Sequence, residues 1–153
     1  MKKFLVLNGA NLNMLGIREP DIYGKNTYKD LIKMLKSYAK SHKIKVVCRQ
    51  SNHEGTLIDE IQSAYFRRFD GIVFNPGGYT HTSVSLADAL KAVQIPTAEV
   101  HISNVSARED FRQISYIRPA CAVTIAGQGF AGYTKALDFL TDYKEKQRRE
   151  KKI

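Results

Sequence analysis

The feature that most restricts this chain is an alternation between continuous apolar runs and apolar stripes at helical spacing. Five short, β-branched apolar runs, predicted as strands over Lys3–Asn8, Ile44–Gln50, Gly71–Asn75, Thr97–His101 and Cys121–Ala126, alternate with stretches of helical spacing. The helical stripe of Asn26–Lys40 is Leu31, Met34, Leu35 and Tyr38, and that of Glu54–Phe69 is Leu57, Ile58, Ile61 and Tyr65. Thr82–Val93 places Leu86, Ala89, Leu90 and Val93 together, and Tyr133–Tyr143 does so with Leu137, Phe139 and Leu140. A shorter helical turn is predicted over Ala107–Gln113. The apolar runs lack a polar alternate, as expected of strands covered on both faces. Strict βα alternation predicts an α/β fold, a parallel sheet with helices on both faces. The 153 residues suit one such domain, 1–153, ending in a charged helical tail at about 144–153.

One connection breaks the pattern. Loops between a strand and a helix usually hold about two to six residues. The stretch NGANLNMLGIREPDIYG, from Asn8 to Gly24, is far longer and rich in Asn, Arg, Asp and one Tyr. It offers Arg18 and Tyr23. A free phenol titrates near pH 10, and a guanidinium held beside it favours the phenolate, which could take a proton from carbon next to a carbonyl. On a loop that closes over substrate, the pair would also exclude water. A surface Tyr and a surface Arg are the plainer alternative.

In open α/β sheets, ligands sit past the carboxyl ends of the strands. The first strand runs into Asn8, then Asn11 and Asn13; the second into Ser51, Asn52, His53 and Glu54; the third into Asn75, His81 and Thr82; the fourth into Glu99, His101, Ser103 and Asn104. Any one of these could simply cap a helix or close a turn. Their gathering on one rim points to a ligand rich in hydroxyls and carboxylate. Glu99 and His101 alternate along a strand and so share a face. A carboxylate beside an imidazole orients it and favours its protonated form, which suits a general acid; a structural ion pair is the alternative.

Other motifs carry less. Gly127 to Gly132, GQGFAG, fits G-x-G-x-x-G, but it follows the last strand with no further strand to come, so a tight turn and close helix packing are the better reading. His42, His53, His81 and His101 have no metal-ligand spacing, and no metal site is expected. Cys48 and Cys121 fall in strand candidates and read as buried reduced thiols, which implies a cytoplasmic location. No apolar run approaches the ~18 residues of a membrane span, and Asn8 and Gly9 cut the first one too short for a signal peptide. The net charge is +9, of which the tail KEKQRREKKI supplies +4. That surplus fits an anionic small substrate or nucleic acid. No basic–aromatic pattern supports nucleic acid, and lysines near a helix C-terminus also suit its dipole.

Four stretches, NGANLNMLGIREPDIYG, NPGGYTHTSVSLADAL, EVHISNVSAREDFR and GQGFAGY, in register from about Phe4 to Leu140, resemble the type II 3-dehydroquinate dehydratases. The resemblance implies a flavodoxin-like fold with strand order 2-1-3-4-5, a homododecamer built as a tetramer of trimers, and a lyase of the shikimate pathway of aromatic amino-acid biosynthesis. It implies no cofactor. The substrate would be 3-dehydroquinate and the product 3-dehydroshikimate, formed by anti elimination through an enolate. Tyr23 would be the base at C2, Arg18 would stabilise its phenolate, a water near Asn11 would hold the enolate, and His101, oriented by Glu99, would protonate the leaving hydroxyl. Asn75, His81, Ile102, Ser103 and Arg112 would bind the substrate, and Asp88 would reach a neighbouring subunit's site. Ala10 stands where the family usually has Pro, Gly78 where Ala is common, and Val123 where Gly is frequent. A type I Schiff-base mechanism needs a lysine at a strand's carboxyl end; only Lys3 and Lys45 of the 15 lysines fall in strand candidates, and neither is placed there. Two readings from other classes remain distinct, a flavin or nucleotide binder using the last glycine loop and a nucleic-acid module driven by charge.

Overall fold

Parallel strands β1 (Lys3–Asn8), β2 (Lys45–Gln50), β3 (Gly71–Asn75), β4 (Thr97–His101) and β5 (Val123–Ala126) form one sheet in the order β2-β1-β3-β4-β5. The computed structural model describes residues 1–17, 21, 25–104 and 109–152. Arg18, Tyr23 and the start of the helical turn predicted over Ala107–Gln113 lie outside the described residues. The flavodoxin-like order inferred from the family resemblance is the one observed.

The continuous apolar strands are explained by two cores, one on each face of the sheet. Successive residues of a strand point to opposite faces. Phe4, Val6, Val73 and Val100 therefore pack with helices α1 (Tyr28–His42) and α4 (Ala131–Lys151), through Leu31, Leu35, Leu137 and Leu140. Leu5, Leu7, Ile72 and Phe74 pack with α2 (Glu54–Phe66) and α3 (Val84–Val93), through Leu57, Ile61, Leu86 and Leu90. The central strands β3 and β4 are buried throughout, whereas the edge strand β2 is partly exposed.

Helix boundaries follow local chemistry that periodicity alone does not carry. A capping box starts α1: Thr27 Oγ1 accepts from Asp30 N at 3.2 Å while Asp30 Oδ2 accepts from Thr27 N at 2.9 Å. Helix α2 ends at Phe66, three residues short of the predicted end at Phe69. Arg68 takes φ 59°, and Phe69 N donates back to Ala64 O at 2.9 Å, which folds Phe69 into the core. The Ser83 side chain caps α3 through Leu86 N, so the helix begins after a 3-10 turn, Gly77–His81. Helix α4 extends through most of the charged tail, where Lys2 bonds Glu145 at 2.7 Å.

The fifth strand is shorter than predicted. A 3-10 turn, Arg118–Ala120, with Pro119 in it, occupies the preceding chain, and β5 begins only at Val123. Cys121 consequently lies outside any strand, and both cysteines are free and partly exposed rather than fully buried. Burial raises their thiols, Cys48 to about 11 and Cys121 to about 12, so both stay protonated and weakly nucleophilic near neutral pH.

Candidate active site

The chain crosses from β2 on one flank of β1 to β3 on the other, so the topological switch point lies between β1 and β3. Asn8 and Asn75, the last residues of these strands, are register partners there. The two loops that follow touch closely. Gly9 N donates to Asn75 O at 2.7 Å, and a Cβ at Gly9 would stand 2.3 Å from Pro76 O. One at Gly77 would stand 2.6 Å from Ala10 O, and Gly77 also takes φ +64°. Only glycine fits these two positions. Gly78 is different: a Cβ there would meet nothing within 4 Å, so the Ala common in the family would be accommodated.

Asn11 is exposed in a left-handed conformation, φ 71°, and its N–H donates to Asn52 Oδ1 at 2.9 Å. Gln50 Nε2 donates to the same Asn52 oxygen at 3.1 Å and to Gly9 O at 3.2 Å, and Tyr79 Oη donates to Asn52 O at 2.7 Å. The Asn11 turn is thus anchored by β2 and by the loop after β3. Asn75 is 3% exposed; its Oδ1 accepts from Gly77 N at 3.1 Å and its Nδ2 donates to Tyr133 Oη at 2.9 Å.

Glu99 and His101 do share a face of β4, and His101 Nε2 lies 3.0 Å from Glu99 Oε2. Glu99 is fully buried, an arrangement that costs several kcal/mol for a charge without partners. Partners surround it. Oε2 also accepts from Thr80 Oγ1 at 2.6 Å and Ser115 Oγ at 2.7 Å, and Oε1 accepts from Thr124 Oγ1 at 2.9 Å and Arg118 Nε at 3.4 Å. Burial opposes the charge most strongly, yet the hydrogen bonds from His101, Thr80 and Ser115 outweigh it and hold the carboxyl well below the usual range. An ionised carboxylate only accepts, so Nε2 of His101 is the donating nitrogen, and Nδ1 is the one left to exchange a proton with a ligand.

His81 Nδ1 lies 2.6 Å from Ile114 O; a carbonyl only accepts, so Nδ1 carries the hydrogen and Nε2 offers a lone pair. Partial burial, with Arg112 and His101 nearby, pushes the His81 pKa down despite that carbonyl and Glu99. His81, His101, Glu99 and Arg112 therefore share one electrostatic neighbourhood. Arg112 Nε pairs with Glu109 at 2.7 Å, with the Arg112 side chain largely covered and Glu109 exposed. Ile102 O and Ser103 O accept from Gly129 N and Gly127 N, both at 3.1 Å, which fixes the peptides after β4. The glycine motif is the tight turn expected, with Gly127 and Gly129 at positive φ and Gly132 packed on Ile125 and Val100.

The structure thus forms two groups at one rim: Glu99, His101, His81 and Arg112 on one side, Asn75 and Asn11 with the β1–β3 loops on the other. Asp88 sits exposed on α3 and no described hydrogen bond joins it to either group. Sequence reasoning did not identify Thr80, Ser115, Arg118 and Thr124 as the carboxylate's donors, nor Tyr133. Thr124 could have been found, since it is a polar residue inside an apolar run and is the register partner of Glu99. Ser115 and Arg118 come from an irregular segment with no periodic signal. Among the described residues, no three His, Cys, Asp or Glu side chains gather as metal ligands.

Fold and site together define a flavodoxin-like α/β protein with a buried carboxylate–imidazole pair at the carboxyl end of β4. Residues 2–141 match the family model described as dehydroquinase class II, and the chain belongs to that family. It is 53% identical over 146 residues to the 3-dehydroquinate dehydratase of Fusobacterium nucleatum, covering 94% of this chain and 99% of that one. The type II dehydroquinase structure from Butyrivibrio crossotus superposes with a TM-score of 0.91 at 55% identity, over 92% of this chain and 97% of that one. The Propionibacterium acnes enzyme gives 0.88 at 42% identity, over 92% and 96%.

Proposed function

We propose that this chain is a 3-dehydroquinate dehydratase that works by anti elimination through an enolate, without a Schiff base or cofactor. The observation that carries the reading is the buried Glu99–His101 pair at the switch-point rim. Tyr23, with Arg18 beside its phenolate, removes a proton from C2 and leaves an enolate, held by a water near Asn11. The C1–O bond then breaks as His101 gives its proton to the departing hydroxyl, which leaves as water. The product is the conjugated enone, 3-dehydroshikimate. Glu99 stays ionised and keeps the imidazole oriented, a role that its five donors support. Asn75, His81, Ile102, Ser103 and Arg112 bind the hydroxyls and carboxylate, and Asp88 completes the site of a neighbouring subunit in a homododecamer. Lys3 and Lys45 begin their strands, at the rim opposite the site, which speaks against an imine there. With no basic–aromatic pattern to favour nucleic acid and no apolar run of membrane-span length, the basic surplus suits an anionic small substrate, and the chain reads as a single cytoplasmic catalytic domain.

The test is an ultraviolet assay for the enone with 3-dehydroquinate, run with and without borohydride. Absorbance should rise at the same rate in both, with no gain in protein mass. A flat trace would remove the activity, and a reduced covalent adduct would remove the enolate route.

A further inference from the structure

Tyr133 is the bulkiest fully buried side chain of the described structure, and its hydroxyl, not its ring, is the unusual part. A phenylalanine would fill the same volume between α4 and the sheet. Burying a hydroxyl there costs free energy unless its bonds are made. Tyr133 Oη makes two: it donates to Asn8 Oδ1 at 2.6 Å and accepts from Asn75 Nδ2 at 2.9 Å. The two asparagines are register partners at the ends of β1 and β3, so one phenol bridges the switch point from beneath.

The direction of this hydrogen-bond chain is fixed. Gly77 N–H can only donate, so Asn75 must turn its Oδ1 to it, at 3.1 Å. The amide nitrogen then faces Tyr133 and occupies the phenol's lone pair, and the single phenol proton goes to Asn8. Rotating the Asn75 amide by half a turn would set its NH2 against Gly77 N–H and its oxygen against a phenol whose proton is already given to Asn8. Burial raises the Tyr133 phenol, so it stays protonated and serves as a fixed donor rather than a base.

We infer that Tyr133 is a positioning residue for substrate binding: the chain Gly77–Asn75–Tyr133–Asn8 sets the rotation of the Asn75 amide and thereby which of its donor and acceptor groups meets the ligand's hydroxyls. This rests on the proposed function, in which Asn75 binds substrate. The experiment measures kcat and KM for 3-dehydroquinate in Tyr133→Phe, Asn8→Ala, Asn75→Ala and the double variant Tyr133→Phe/Asn75→Ala, with folding checked by circular dichroism. Tyr133→Phe should raise KM by about 3- to 10-fold, the worth of one oriented hydrogen bond, with kcat within about twofold and the pH profile unmoved. Asn8→Ala should raise KM in the same direction although it sits behind Tyr133. In the Asn75→Ala background, Tyr133→Phe should add nothing to KM, because the amide it orients is gone. The inference is overturned by an unchanged KM in Tyr133→Phe, by an equal rise in both backgrounds, or by failure of both Tyr133→Phe and Asn8→Ala to fold, since each makes the hydroxyl merely structural. A wild-type chain inactive on 3-dehydroquinate would instead overturn the proposed function and this inference with it; an active wild type with an unaffected Tyr133→Phe would overturn this inference alone.

Discussion

His101 and Glu99 can be separated by substitution because in the proposed mechanism only His101 gives up a proton. His101→Ala should lower turnover by about 100- to 10,000-fold, the usual contribution of a general acid. Glu99→Gln should cost less, since the imidazole survives and loses only orientation; steady-state kinetics of both variants would reverse the assignment if Gln proved the worse. Glu99 also links the site to stability. Its folded pKa lies below the ordinary 4.5, so its stabilisation is fully present above about pH 4.5 and is lost as pH falls toward the folded value. Urea midpoints measured from about pH 5 down to pH 2 should therefore fall more steeply for wild type than for Glu99→Gln; parallel curves would mean that the carboxylate is not charged in the fold. Gly78 offers a contrast. With open space and no positive φ at that position, Gly78→Ala should raise stability by about 0.4–1 kcal/mol through the unfolded chain, with turnover kept. A lower melting temperature would show that the backbone there needs glycine after all.

At the scale of elements, the caps decide where periodic sequence becomes helix. Thr27→Ala removes one half of the α1 capping box, the Oγ1 that accepts from Asp30 N, while the backbone N–H of residue 27 keeps the Asp30 carboxylate as its acceptor. The expected loss is about 1 kcal/mol, read from a denaturant midpoint with the slope unchanged. A loss below a few tenths of a kcal/mol would mean that water replaces the box at no cost. The same logic explains the differences from the periodicity. The helix predicted to reach Phe69 stops at Phe66, where a left-handed Arg68 ends it and still buries the Phe69 ring. The stripe around Leu137 fades after Tyr143, yet α4 continues to Lys151, since charged residues with good helix propensity need no apolar face to extend an existing helix.

At the scale of the molecule, the rim is assembled from all five strand ends, and the proposed function adds a residue from a neighbouring subunit. Sedimentation should give a particle near twelve times the 17.3 kDa chain, and Asp88→Ala should weaken substrate use although Asp88 lies on α3 without a described bond to the site. A fully active monomer would exclude both.

What the sequence by itself determined was everything that follows from local spacing. Continuous apolar runs placed every strand, and period-3.6 patterns placed the four main helices, within a few residues except at the C-terminal end of α4; the alternation of side chains along β4 put Glu99 and His101 on one face. The tight glycine turn after β5 was legible for the same reason, as its constraint is on backbone dihedrals. Only the tertiary structure decided what lies around those residues. The donors that keep Glu99 charged come from four different segments, and Tyr133 meets Asn8 across 125 positions of chain. Hydrogen-bond partners at such separations are selected by which elements pack together, and no periodicity along the chain records that choice.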